Sequence, residues 1–227
     1  MKSNSDFRVP KTEGLSADEI LATKSLDSAS YVFCAMAWLD YYRRYPNFGP
    51  LLNACISARQ GIEYLLFEEL LLGLGTGLTE AEYEKCVQSA KTLDKVVKAR
   101  IPTYERLLKF TKIVASLDEG LPNLISWNHA NLMRAWGTLS KSLHWFGTYA
   151  LTTDDREWLE KEHSRVLDLV TPIWKNMCKG RHGVMHPDDM HPSTREVWNR
   201  FVKSEISEET AAFQLRIVRP TSVLLPR

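Results

Sequence analysis

The sequence predicts an all-α fold, a bundle of helices in one domain. Three observations carry that expectation. Apolar residues recur at three- and four-residue steps along most of the chain, helix-start signals stand ahead of several of these stretches, and the connections between them are short. No internal repeat or low-complexity tract interrupts the pattern. The helical domain is expected over residues 16–205, after a flexible lead at 1–15 and before a C-terminal tail at 206–227.

The elements follow in chain order. SADE at Ser16 is a capping box, with Glu19 three residues after the N-cap. From Asp27 to Arg44 the pattern is amphipathic, with Tyr31, Ala35, Trp38 and Tyr42 on one face and Leu39 beside them. YPNFG breaks it, and Pro50 stands where a first helical turn tolerates proline. The helix from Pro50 to Leu72 carries a core stripe of Leu51, Cys55, Ala58, Ile62, Leu65 and Leu66, and GLGTG ends it. Thr79 and Glu82 form a second capping box, opening a helix to Arg100. Pro102 starts another through Leu117, and LDEGLPNLIS reads as a loop.

A helix over Asn128–Gly147 presents Leu132, Trp136, Leu139, Leu143 and Phe146. TTDD caps a long helix over Asp155–Lys179, with Pro172 as a point of kinking. Ser193 caps a short helix through Phe201 and Lys203. The tail FQLRIVRPTSVLLPR, β-branched and apolar, predicts a short strand or an extended arm. Of the seven tryptophans, Trp38, Trp136 and Trp145 fall in helical stripes and are expected in the core.

Composition narrows the class. With 44% hydrophobic and 25% charged residues, the chain can bury a core and is not of the disordered type. A net charge of +1 provides no global pull toward nucleic acid or an anionic membrane, so any RNA contact needs a local basic surface. That surface lies between Lys91 and Lys112: Lys91, Lys95 and Lys98 share one face, and Arg106, Lys109 and Lys112 follow on the next helix. Cys34, Cys55, Cys86 and Cys178 are scattered, with Cys34 and Cys55 on apolar faces, and are expected as reduced thiols. MKSNSDFRVPKTEG has no apolar h-region, and Glu68 and Glu69 break YLLFEELLLGLG. A soluble cytoplasmic protein without membrane contact is expected.

GRHGVMHPDDMHPS, residues 180–193, holds three of the six histidines: His182, His186 and His191. The Arg181 fork suits phosphate oxygens. His186 titrates near neutrality and can move a proton, and His182 can orient it or act as a second shuttle. Such a set suffices to cleave RNA without a metal or other cofactor. An imidazole takes the 2′-hydroxyl proton and the guanidinium stabilises charge building on phosphorus. On a regular helix Arg181 and His186, five apart, diverge, and Pro187 disfavours helix at His186. The stretch therefore reads as a helix end entering a turn, or as a motif that pairs with a second copy across a twofold axis.

RHGVMH after a long helix resembles the RxxxxH signature of HEPN domains, small helical bundles of which many are metal-independent ribonucleases. SARQGIEYLLFEELLL is similar to the early core helix of that family. The resemblance covers residues 50–72 and 155–187. It implies a homodimer with facing motifs, Arg181 and His186 as catalytic residues, His182 at the polar position, and membership of a toxin–antitoxin or antiviral defence system with an antitoxin or other partner protein. The position where some toxin members carry a modifiable tyrosine is Asp188, so regulation of that kind is not implied.

Other readings of the same residues stay open. Lys179, Arg181 and His182 near Gly180 also fit a helix C-terminus whose cations complement the macrodipole. His182, His186 and His191 with Asp188 or Asp189 are zinc-type ligands, although no HExxH or CxxC accompanies them. A non-catalytic helical module binding RNA, a nucleotide or a protein is the alternative from another class. Arg59 and Glu63, four apart, are either auxiliary to the motif or an ion pair at the core edge. His144 is expected as a core histidine, while His129 and His163 ask for no function.

Overall fold

The computed structural model describes residues 27–74, 92–93, 95–96, 99, 103–117, 124–148, 156–182, 185 and 187–218, with the backbone alone at 72–74, 144–148 and 181–182. Helix α1 spans Ser28–Arg44 and α2 spans Phe48–Leu74. Asp27 caps α1 by accepting the Ser30 N–H at 2.7 Å. A second cap comes from α2: the Ser28 N–H and hydroxyl donate to the buried Glu68 carboxylate at 2.8 and 2.6 Å. A carboxylate at a helix N-terminus meets orphan N–H groups and the positive end of the dipole, so this charge is stable inside the fold.

The α1–α2 hairpin is close because Gly61 has no side chain. A Cβ there would lie 2.7 Å from Val32 Cγ2. Helix α3 follows at Tyr104–Ser116, then strand β1 at Leu124–Ile125, α4 at His129–Thr148 and α5 at Arg156–Met177. Strand β2, Arg181–His182, lies parallel to β1, with Leu124 opposite Arg181 and Ile125 opposite His182. A 3-10 turn at Pro187–Asp189 precedes α6, Pro192–Val202, and α7, Glu208–Val218.

Two hydrophobic clusters organise these helices. The larger joins α1, α2, α4 and α5 around Leu39, Leu65, Leu66 and Leu139, all buried. The smaller joins α3, α6 and α7 around Phe110, Trp198, Phe201 and Leu215. Helix α3 serves both: Tyr104 faces the larger, whereas Leu107, Phe110 and Val114 face the smaller.

An all-α bundle is what the periodicity predicts, and the stripe Leu51, Cys55, Ala58, Ile62, Leu65 and Leu66 is buried as expected. Three expectations are corrected. Trp38 is exposed, because α1 packs through Val32, Ala35, Leu39 and Tyr42 and Trp38 lies on a different stripe of the helix. Cys34 is exposed for the same reason.

The tail is the third correction: FQLRIV belongs to α7 rather than to a strand. Ser207 starts this helix by accepting the Thr210 N–H, Glu208 and Glu209 sit in its first turn, and Ala211 and Leu215, four apart, bury into the smaller cluster. Packing on one face outweighs the β-branched composition. The capping boxes at Ser16 and Thr79, and the Trp145 and His144 side chains, lie outside what is described.

Candidate functional site

The 180–193 segment runs between the two clusters. Helix α5 ends at Met177, and the turn that follows holds the Lys179 N–H to the Asn176 carbonyl at 3.0 Å. Arg181 and His182 are then extended and paired with β1. The Asn176 amide donates to the Ser126 carbonyl at 3.4 Å, adding a side-chain tie beside that pair. Further on, the Met185 N–H donates to the hydroxyl of Thr111, a buried residue of α3, at 3.0 Å.

Met190 is buried in the smaller cluster. Between these two anchors, Arg195 donates to the Pro187 and Asp188 carbonyls at 2.8 and 2.7 Å. The segment is thus held at its start by a strand pair and at its end by α3 and α6. His186 lies outside the described residues, as do the side chains of Arg181 and His182. Two groups from the zinc reading have other partners: His191 Nδ1 pairs with the Ser193 hydroxyl at 2.7 Å, and Asp188 lies 3.8 Å from Arg195.

Arg59 and Glu63 do meet. Arg59 Nε donates to Glu63 at 3.1 Å, the Trp136 indole N–H donates to the same oxygen at 2.7 Å, and the Arg59 guanidinium lies over the Trp136 ring at 5.0 Å. This trio ties α2 to α4 and satisfies an indole donor that is otherwise buried. The basic surface divides. Lys95 and Lys112 are exposed, while Lys91 and Lys98 lie outside the described residues. The Arg106 guanidinium donates to the Phe201 and Val202 carbonyls and so caps the C-terminus of α6. Lys109 pairs with Glu208 at 3.2 Å, joining α3 to α7.

Comparison with family models, with curated proteins and with solved structures gives no match in any of the three. The chemistry therefore has to be read from this chain's own residues.

Sequence reasoning missed a buried charged group. Glu69 is fully buried, and His129, the first residue of α4, donates to it through Nε2 at 2.6 Å. Tyr104 of α3 lies beside this pair, its ring 5.3 Å from the imidazole. Burial and then the Glu69 charge push the Tyr104 phenol well above its ordinary value. Three helices therefore meet on one acid–imidazole pair, just after the β1 strand that holds Arg181 and His182.

A second buried set links α2, α4 and α5. Arg165 donates to Glu162 at 2.8 Å through Nε and reaches both Glu162 and the Ser142 hydroxyl through Nη2. Burial, followed by the Glu162 charge, pushes the neighbouring Cys55 thiol up to about 12, so that thiol stays protonated and inert. The clue for the first set was present in the sequence: Glu68 and Glu69 interrupt an otherwise apolar helix, and a charge on a buried face demands a partner. His163, for which the sequence asks no function, stacks on Tyr42 at 4.5 Å and donates to the Leu39 carbonyl at 3.2 Å.

Among the described residues, no helix is long and apolar enough to cross a membrane.

Proposed function

We propose that this protein is an endoribonuclease of the HEPN kind that cuts RNA without a metal ion. His186 acts as the base, Arg181 as the phosphate ligand and His182 as an auxiliary proton carrier. The 2′-hydroxyl gives its proton to an imidazole, its oxygen attacks phosphorus, and the bond to the 5′ oxygen breaks. The leaving oxygen takes up a proton, from a second imidazole or from water, and a 2′,3′-cyclic phosphate remains. The active form is a homodimer with facing motifs, acting in the cytoplasm and held in check by an antitoxin or other defence-system partner.

One observation supports this reading best. Arg181 is not on the last turn of α5, where a cation would merely complement the helix dipole. It lies four residues beyond Met177, in extended backbone paired with β1 and followed by a residue tied to Thr111. Catalysis needs its groups held by rigid elements, and sites form preferentially where packed units meet. Lys95 and Lys112 remain as exposed cations for phosphate contact.

The test is cleavage of a mixed RNA pool in EDTA by the wild type, Arg181→Ala and His186→Ala. The expected result is cleavage with cyclic phosphate ends, slowed by about 100-fold or more in each variant. A folded wild type that binds RNA without cutting it would instead identify a non-catalytic binding module. Activity lost in EDTA and restored by zinc would identify a metal-dependent hydrolase.

A further inference from the structure

Helix α1 carries two apolar seams. Val32, Ala35, Leu39 and Tyr42 form the one buried in the larger cluster. Cys34, Trp38, Tyr41 and Tyr45 form the other, and all four are exposed. Their spacing of four, three and four residues is that of a helix-packing seam, one stripe on a 3.6-residue helix. Its rings are already ordered against one another: Trp38 meets Tyr41 edge to face at 5.9 Å, and Tyr41 meets Tyr45 at 4.8 Å.

An exposed apolar residue of α2 lies level with this seam. Val32 stands against Gly61 and Tyr31 against Tyr64, so the exposed Ile56 lies level with Trp38 across the hairpin. We propose that this face of the α1–α2 hairpin is where a second copy of the chain docks, seam against seam. This inference rests on the dimeric part of the reading above and not on RNA cleavage.

Three points favour a second copy over RNA. No charged side chain stands within the seam, and the flanking cation, Arg44, is already paired with Asp40 at 3.2 Å. The tilted and edge-on rings close on each other rather than opening as a platform for bases. The area is of the right order as well. Trp38, Tyr41 and Tyr45 are 37%, 45% and 56% exposed, and aromatic side chains bury roughly 150–250 Å² each. Two copies of these rings alone supply roughly half of the ~1,200 Å² at which stable interfaces begin, with Cys34, Ala37 and Ile56 adding to them. Tyrosine and tryptophan at the centre of a patch are the residues that dominate interface energy.

Sedimentation velocity of the full chain tests the proposal, with circular dichroism as the control for folding. The wild type is expected to sediment as a dimer of the 26.0 kDa chain. Trp38→Lys with Tyr41→Lys is expected to raise the dissociation constant by roughly 30-fold or more while the melting temperature of the helices holds. Phe213→Lys, on the separate exposed face of α7, is expected to leave the dimer intact. A wild type that stays monomeric at every concentration overturns the proposal and leaves residues 1–26 of the same chain as the alternative cover. A dimer that survives the double substitution, or that Phe213→Lys dissociates instead, also overturns it. RNA cleavage measured on the same samples is read separately, so either idea can fail alone.

Discussion

The two hydrophobic clusters are held in different ways. The larger one buries charge: Glu68 on Ser28, Glu69 on His129 and Glu162 on Arg165 all sit among leucines. Breaking any of these buried pairings leaves a polar group without its partner, so they favour the register that keeps α1, α2, α4 and α5 together. The smaller cluster relies on aromatic packing instead. Phe110 meets Trp198 at 5.3 Å and Phe201 at 5.7 Å, and the polar ties around it, Arg106 and the exposed Lys109–Glu208 pair, lie at its edge. Edge contacts are cheaper to break than buried ones. The 180–193 segment is anchored to both, at β2 to the larger side and at Met185 and Met190 to the smaller.

Substitutions test that contrast directly. Glu69→Ala strands an imidazole in the larger cluster and is expected to cost about 4 kcal/mol in urea unfolding. A loss below about 1 kcal/mol would mean that the pair is solvated rather than buried. Phe201→Ala is expected to cost about 3 kcal/mol. Hydrogen exchange should then show α6, α7 and the Met185 amide opening ahead of α2. Equal loss of protection in α2 would make the two clusters one cooperative unit.

Gly61→Ala drives a methyl group into Val32 where α1 crosses α2, and about 2 kcal/mol of stability should be lost. Gly61→Ala paired with Val32→Ala should recover part of it, which a helix-propensity effect would not do.

His163 supplies a smaller, pH-dependent contribution to the larger cluster. Burial lowers its affinity for a proton, the Leu39 carbonyl partly opposes this, and Arg43 adds to the lowering. The unfolded chain, titrating at the ordinary 6.5, then binds that proton more readily than the folded one does. Its contribution is complete above pH 6.5 and is lost as pH falls from there toward the depressed folded value. Melting curves at about pH 7.5 and pH 5.5 should therefore differ more for the wild type than for His163→Gln.

Ser204→Gly is the smallest effect. Ser204 adopts φ 61° just after α6, its N–H bonded to the Phe201 carbonyl and that of Glu205 to the Arg200 carbonyl, a Schellman turn. Glycine there removes the Cβ strain, for a gain of about 0.5 kcal/mol that should appear in the smaller cluster.

The candidate site was legible only in part. RHGVMH and the turn at Pro187 are visible in the chain itself, and so is the pairing of Arg59 with Glu63 four residues on. That Glu63 would also hold the Trp136 indole, 73 residues away, is not. Arg106 looked like one cation in a stripe, because nothing in the local sequence tells that the end of α6 lies beside it. His129 looked ordinary at a helix start, since its partner Glu69 belongs to another helix.

Periodicity and capping alone determined the all-α class, the helices over 28–44, 48–74 and 156–177, and which face of α2 goes inside. These are local properties, set by repeats of three and four residues and by the residue at each helix start. Tertiary structure decided the rest. It chose which of the two apolar seams of α1 is buried, placed FQLRIV in α7, and paired Arg181 and His182 with Leu124 and Ile125. Each of those outcomes depends on what another segment presents across a gap, and a chain of local preferences carries no record of that neighbour.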